Sequence, residues 1–377
     1  MKTNEIILPK KQPVILASGE MVEHSDDAVV ILFPGPRNVL STSWMNGGYH
    51  ENLEAVFNHQ ISLEACEVCH AGDGSVQQYL KRVARNYGLG PETATGLITR
   101  AEMRNTAIVA ESFRELTVTA IVTAGIAKNG GRAGDPASYY ENGDSVEPVG
   151  GTINTVLIIS ADLPEYAMTR AVMTATEAKA VALQQLMARS IYSTGIATGS
   201  GTDMIVIVAN PGSPQHLSNA GKHSKLGELI GLAVIRATTA ALEKETGLSP
   251  TSQQDVLVRL SRFGITEEDI WKAAVSRGIV ENSSPEDRER FMQYLRIWAR
   301  EPQSVAQAAA ALHVVDEAGW GLIPEATARD TIIRILEYLK REVTVPEERP
   351  LEQVIATFAR QIVRRSNTVT NPRDSKF

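Results

Sequence analysis

The chain has 377 residues, 43% of them hydrophobic, with 28 Gly, 17 Pro and a formal net charge of −7. That length allows two or three domains with a sizeable core, and the composition excludes a low-complexity chain. The acidic balance, relieved only by RRSNTVTNPR near the C-terminus, argues against a nucleic-acid partner.

Residues 14–17 and 28–33 are short apolar runs separated by Gly19 and the Asp26-Asp27 turn signal, which predicts a hairpin. Residues 38–43 read as a further strand leading into the MNGGY turn, and residues 51–59 as a short helix. Val76, Tyr79, Leu80 and Val83 give 76–87 helical spacing, ended by Gly88. Residues 94–99 open either a helix or a strand. Residues 118–124 are strongly β-branched and read as a buried strand. It runs into GIAKNGGRAGDPASYYENG, a loop of a length usually functional or disordered. Gly150 and Gly151 then open a strand over 155–161, followed by a helix over residues 164–187. The loop ATGSGTD (197–203) opens a strand over 204–209, and GKHSKLGE (221–228) opens a second helix. Strands mixed with helices predict an α/β fold, a mixed α+β layered core with both parallel and antiparallel pairing.

From Thr251 onward the pattern is helical, over 253–262, 267–276, 285–300, 304–315, 325–340 and 351–363. Thr266 before Glu267 and Ser284 before Pro285 are helix start signals. The expected organisation is residues 1–250 as one domain and 251–377 as an appended all-α domain with a polar tail from Asn367. The helical part carries no motif of its own; structural, oligomeric and regulatory uses stay open, and a homo-oligomer is among the expectations. No run of 18 apolar residues occurs, so no membrane span is expected. The opening MKTNEIILPKKQPVILASG lacks a signal peptide's apolar core, so the cytoplasm is the expected location.

The only two cysteines stand in CEVCH (66–70). C-x-x-C-H matches c-type haem attachment, but that chemistry belongs to exported proteins. Cys66, Cys69 and His70 could join His50 or His59 around a metal, although a zinc site wants a second ligand pair. A plain thiol pair near a strand end explains them equally, and neither a metal nor a cofactor is expected.

The densest chemistry lies between residues 150 and 235. On the helix over 164–187, Val172, Ala175, Lys179, Ala182, Leu183 and Leu186 share one stripe, so Lys179 sits on the apolar face and needs a partner or a pocket. Glu177, two residues away, points elsewhere and shares its face with Thr174. ATGSGTD places hydroxyls (Thr198, Thr202) and the Asp203 carboxylate on a glycine turn that lets backbone approach a ligand; a structural turn capped by its own side chains reads the same. Ser224 is the expected N-cap of the following helix, with His223 beside the N-terminus, where free N–H groups favour an anion or a carbonyl oxygen. Gly227 and Gly231 inside that helix suggest close packing against backbone or a flat ligand.

Four motifs in order, GGTINTVLI, TATEAKAVAL, ATGSGTDMIVIVA and AGKHSKLGELIG, with a looser STSWMNGGY upstream, resemble the CbiZ family of adenosylcobinamide amidohydrolases over roughly residues 10–247. The resemblance implies hydrolysis of the amide that joins aminopropanol to a propionyl side chain of the corrin ring, giving adenosylcobyric acid for cobalamin salvage, with a corrinoid as the small-molecule partner. On that basis His223 is the expected proton-transfer residue, with Asp203 orienting it or acting as base. Glu177 is a second base, and Lys179 is expected to stabilise an oxyanion. Thr198, Thr202 and Ser224 would bind substrate amides, as would Asn46, Gly47, Gly48 and Asn154 beside their glycine turns. A corrinoid- or tetrapyrrole-binding protein without hydrolysis is the alternative.

Overall fold

In a computed structural model of the chain, the apolar runs of the first 250 residues become strands of one curled sheet, ten-stranded among the described residues. The structure describes residues 2–6, 12–62, 76–137, 151–280, 284–337 and 350–369. CEVCH and the stretch 138–150 lie outside them. In chain order the elements of the first part are β1 (Lys2–Ile6), β2 (Val14–Ile15), β3 (Met21–His24), β4 (Ala28–Ser41), β5 (Gly48–Gln60), α1 (Val76–Asn86), β6 (Ala94–Thr99), β7 (Ala107–Phe113), β8 (Leu116–Ala124), β9 (Gly130–Gly131), β10 (Ile153–Ile159), α2 (Glu165–Gln185), β11 (Gly199–Ser200), β12 (Met204–Ala209) and α3 (Lys225–Thr246).

The strand order is β1-β7-β8-β10-β12-β4-β3-β2, with β5 along β4 and β6 along β5. Only β10–β12 and β5–β6 are parallel, each bridged by a crossover containing a helix, as parallel neighbours require. The other pairs of this sheet are antiparallel. The fold is therefore the mixed α/β arrangement that the alternating signals predict.

Side chains alternate across the central strands with a period of two. Val118, Ala120 and Val122 of β8 and Leu157 and Ile159 of β10 face α2 and α3, packing on Ala171, Ala175, Leu183, Leu229 and Val234. On the other face, Ile121, Val156, Ile158 and Val206 meet Val29, Ile31, Val56 and Leu97, because the sheet curls over itself. The middle of the sheet is thus buried on both faces.

Three sequence readings need correction. Residues 51–59 are not a helix but the body of β5; Leu53, Ala55, Val56 and Phe57 are all buried there, so the polar half of a strand alternation is missing. Residues 14–17 and 28–33 do not pair with each other: β3 lies between them, hydrogen-bonded to both β2 and β4. Residues 28–33 and 38–43 are not separate strands; β4 runs through Pro34-Gly35-Pro36 with register irregularities that absorb the prolines.

The chain divides into two compact units, Met1–Ser249 and Pro250–Phe377. The second unit contains α4 (Val256–Leu260), α5 (Glu267–Ser276), α6 (Pro285–Trp298), α7 (Pro302–Gly319), α8 (Glu325–Glu337) and α9 (Pro350–Val369). Thr266 and Asp269 form a reciprocal capping box on α5, and Ser284 caps α6 ahead of Pro285. Trp271, Phe291, Leu295, Trp298 and Phe358 build its core. The helix expected to end at 363 continues to Val369, through the start of the stretch read as a polar tail. Among the described residues, no helix is long and apolar enough to cross a membrane.

Candidate active site

Several connections leave the sheet at one end. Ser41, the last residue of β4, lies opposite both Gly48 at the start of β5 and Val206 near the start of β12. Ala124, the last residue of β8, faces Ile153, the first of β10, and Asn154 is level with Met204. The stretches 42–47, 125–129, 151–152 and 201–203 therefore emerge together. α2 returns from the opposite end, and the fourteen steps from Glu165 to Lys179 cover ~21 Å at 1.5 Å each. This matches the ~20 Å length of β10 at about 3.3 Å per residue and brings Lys179 level with these loops.

There the Lys179 ammonium meets the Asp203 carboxylate, with side-chain exposures of 15% and 14%. Asp203 is saturated with donors. Its Oδ1 accepts from the Ile153 N–H at 2.9 Å and the Ser200 hydroxyl at 2.6 Å. Its Oδ2 accepts from the Ser200 N–H at 3.0 Å as well as from Lys179. Such charge-assisted bonds hold the carboxylate rigidly. The apolar stripe that placed Lys179 facing inward is satisfied by this ion pair. Gly199 permits it: a β-carbon there would overlap Asp203 Oδ2 and stand 2.8 Å from Lys179 Nζ.

Asn129 ties the neighbouring loops together. Its amide nitrogen donates to the Gly151 carbonyl at 3.0 Å and to Thr202 Oγ1 at 3.1 Å, while its Oδ1 accepts from the Tyr192 hydroxyl at 3.1 Å. Thr202 also donates to Gly151 O at 2.9 Å and lies 2.8 Å from Thr152 Oγ1. Thr198 accepts from the Ala133 N–H at 2.9 Å. Both threonines are thus occupied in holding loops. Asn129 and Ser200 were not singled out by sequence; the Asn-Gly-Gly run after a buried strand was the available signal for the first, and ATGSGTD itself contains the second.

The STSWMNGGY segment forms a cavity of about 610 Å³, lined by Ser41, Thr42, Ser43, Trp44, Asn46, Gly47, Gly48, His50 and Gln77. Asn46, at φ 51°, donates its amide to the Pro91 and Ala94 carbonyls at 2.8 and 2.7 Å, so it shapes the rim. Thr42 joins this segment to β12: its N–H donates to Ile205 O at 3.0 Å and its hydroxyl accepts from Ile205 N–H at 2.9 Å. Asp203 is two residues away. Asn154 does not reach the surface; it is 1% exposed, on the inward face of β10, and donates to Asn58 Oδ1 at 2.8 Å and Ile98 O at 2.9 Å.

His223 and Glu177 stand elsewhere. They line a smaller cavity of about 320 Å³ with Arg170, Met173, Thr174, Asn219, Gly221 and Lys222. Glu177 pairs with Lys222 there, and Thr174 donates to the Ala220 carbonyl at 2.8 Å. Glu177 and Lys179 are separated by ~3 Å along α2 but ~200° around it, so they serve different flanks of the helix. The expectation that Asp203 orients His223 is not met: the hydrogen bonds of Asp203 go to Lys179, Ser200 and Ile153. Ser224 does cap α3, accepting from Gly227 N–H at 3.0 Å, and its hydroxyl donates to the Asn219 and Gly221 carbonyls. Gly227 packs against the Gly221 backbone, whereas Gly231 has open space. Among the described residues, no group of three or more His, Cys, Asp or Glu side chains could hold a metal ion.

A search of curated proteins finds two relatives. An uncharacterised protein of Methanocaldococcus jannaschii is 36% identical over 237 residues, 60% of this chain and 89% of the relative. An adenosylcobinamide amidohydrolase of Methanosarcina mazei is 28% identical over 232 residues, 59% of this chain and 98% of that protein. A crystal structure from Pyrococcus horikoshii OT3 is a loose match, with TM-score 0.32 at 13% identity over 64% of this chain and 84% of the other. The family model for adenosylcobinamide amidohydrolase matches residues 14–250, a span that holds all four sheet-end loops, α2 and α3. The chain belongs to the adenosylcobinamide amidohydrolase family.

Proposed function

We propose that residues 14–250 hydrolyse the aminopropanol amide of adenosylcobinamide, adding one water to give adenosylcobyric acid and free aminopropanol. The observation that carries this reading is the Lys179–Asp203 pair, set beneath converging loops and fixed by Ser200 and Ile153. Amide hydrolysis needs a base for the attacking oxygen, stabilisation of the tetrahedral oxyanion and a proton for the leaving amine. The attacking water passes its proton to the Ser200 hydroxyl as that hydroxyl's own proton moves along its existing bond to Asp203 Oδ1, and the same relay returns a proton to the amine nitrogen as the C–N bond breaks. Lys179 offsets the oxyanion charge. Ser200, whose hydroxyl already donates to Asp203, helps position the water. The cavity at Asn46, Gly47 and Gly48 holds the corrin with its amide fringe. His223 and Glu177, on the other flank of α2, lie outside the reacting centre in this reading.

The test is mass spectrometry of metal-stripped protein incubated with adenosylcobinamide. Adenosylcobyric acid and aminopropanol should appear with the wild type and with His223→Ala, and should fall at least about a hundredfold with Asp203→Ala. Loss in His223→Ala with turnover kept in Asp203→Ala would move the chemistry to the smaller cavity. A stable acyl adduct on Ser200 would replace water by Ser200 as the attacking group.

A further inference from the structure

Trp44 is 52% exposed. Trp320 is exposed to the same extent and single exposed hydrophobics are ordinary, so what sets Trp44 apart is its place in the lining of a cavity. The segment that presents Trp44 is held firmly. The Met45 side chain beside it is fully buried. The Ser43 hydroxyl donates to the Gly96 carbonyl at 2.5 Å and accepts from Met45 N–H at 3.0 Å. Asn46 is fastened to Pro91 and Ala94. The indole is therefore offered on a rigid support at the mouth of a cavity of about 610 Å³, and a preorganised aromatic loses little freedom on binding.

The rest of that lining states the chemistry. Among the described residues it contains hydroxyls, an asparagine, a glutamine, a histidine and a glycine turn, with no Asp, Glu, Lys or Arg. Among these residues a cation would find no carboxylate and an anion no Lys or Arg. A neutral, wide ligand with a flat face and a fringe of carboxamides would find both an aromatic plane and amide partners.

We propose that Trp44 is the stacking surface for the flat face of the corrin ring, with Gln77 and the Gly47-Gly48 backbone meeting the ring's peripheral carboxamides. This rests on the functional reading above and adds a residue that governs binding rather than bond cleavage. Trp44 is also the single tryptophan of residues 1–250, the others being Trp271, Trp298 and Trp320, so the part of the emission lost in Trp44→Phe reports on this cavity.

The experiment pairs steady-state kinetics with fluorescence titration by adenosylcobinamide. Trp44→Ala should raise KM roughly tenfold with kcat within about twofold, and Trp44→Phe, which keeps a ring, should restore most of the loss. Wild-type emission should be quenched by the ligand, and the quenching should be much reduced in Trp44→Phe. An unchanged KM in Trp44→Ala, or quenching that survives intact in Trp44→Phe, overturns the proposal while leaving hydrolysis standing. If the wild type forms no product, the hydrolase reading fails; Trp44-dependent quenching would still support the stacking surface, and its absence would overturn that too.

Discussion

Replacing Asp203 by Asn tests the centre of the site most directly. The carboxylate accepts two donors on each oxygen: Ile153 N–H and Ser200 Oγ–H on Oδ1, Ser200 N–H and Lys179 on Oδ2. Either orientation of the amide points an NH₂ group at two donors and leaves the Lys179 charge unpaired at 15% exposure. Breaking a fully buried ion pair costs about 3–5 kcal/mol. With both side chains slightly exposed, the lower end applies, about 3 kcal/mol. For a cooperative unit of this size that is a drop of roughly 6–12 °C in Tm. Turnover should fall by about a thousandfold if Asp203 is the base. Calorimetry and product analysis read the two effects separately. The double variant Lys179→Met with Asp203→Leu removes both charges, so it should recover part of the stability and none of the activity. An Asp203→Asn protein that melts with the wild type and turns over within tenfold of it would refute the reasoning.

The two glycines of α3 give opposite expectations. Gly227→Ala would drive a β-carbon into the Gly221 carbonyl and within 2.8 Å of Ala220 O, so thermal unfolding should show a large loss of stability. Gly231→Ala meets nothing within 4 Å and should stabilise the helix by about 0.5–1 kcal/mol. Gly199→Ala should abolish turnover, because the added carbon takes the space of the Lys179–Asp203 pair; normal kinetics would count against that pair as the reacting centre. Burial lowers the pKa of His59, overriding the opposing influence of Asp27. Because the folded pKa lies below the unfolded value of 6.5, the unfolded chain takes up protons first. His59 therefore supports the fold fully above that value and loses this contribution as pH falls through the folded pKa. Urea titrations at neutral and mildly acidic pH should show the His59→Gln protein with a flatter pH dependence than the wild type.

Much of the frame was legible in the residues. Helix α1 declared itself through Val76, Leu80 and Val83, and α5 through its Thr266 cap, because amphipathic spacing and caps are local signals. The apolar position of Lys179 was visible as well. Its partner was not, since Asp203 reaches it only across the turn from α2 through β11 to β12. β5 was misread for the reason that makes it useful: Phe57 and Val56 are buried on opposite sides of a curled sheet, which erases the alternation a strand normally shows. Asn129 sits in a loop whose sequence signals a turn, and nothing local says that its amide joins Gly151, Thr202 and Tyr192.

The pairing of β1 with β7, Lys2 opposite Ser112 through Ile6 opposite Ile108, has a bearing on handling the protein. The partner run Ala107–Phe113 is mostly apolar and already bonded along its other side to β8. A chain shortened by six residues would uncover a straight row of unpaired backbone groups, the usual template for strand-to-strand aggregation. Tags or cleavage sites are safer beyond that stretch than within it, and turbidity of a trimmed sample would reveal the liability before any loss of activity does.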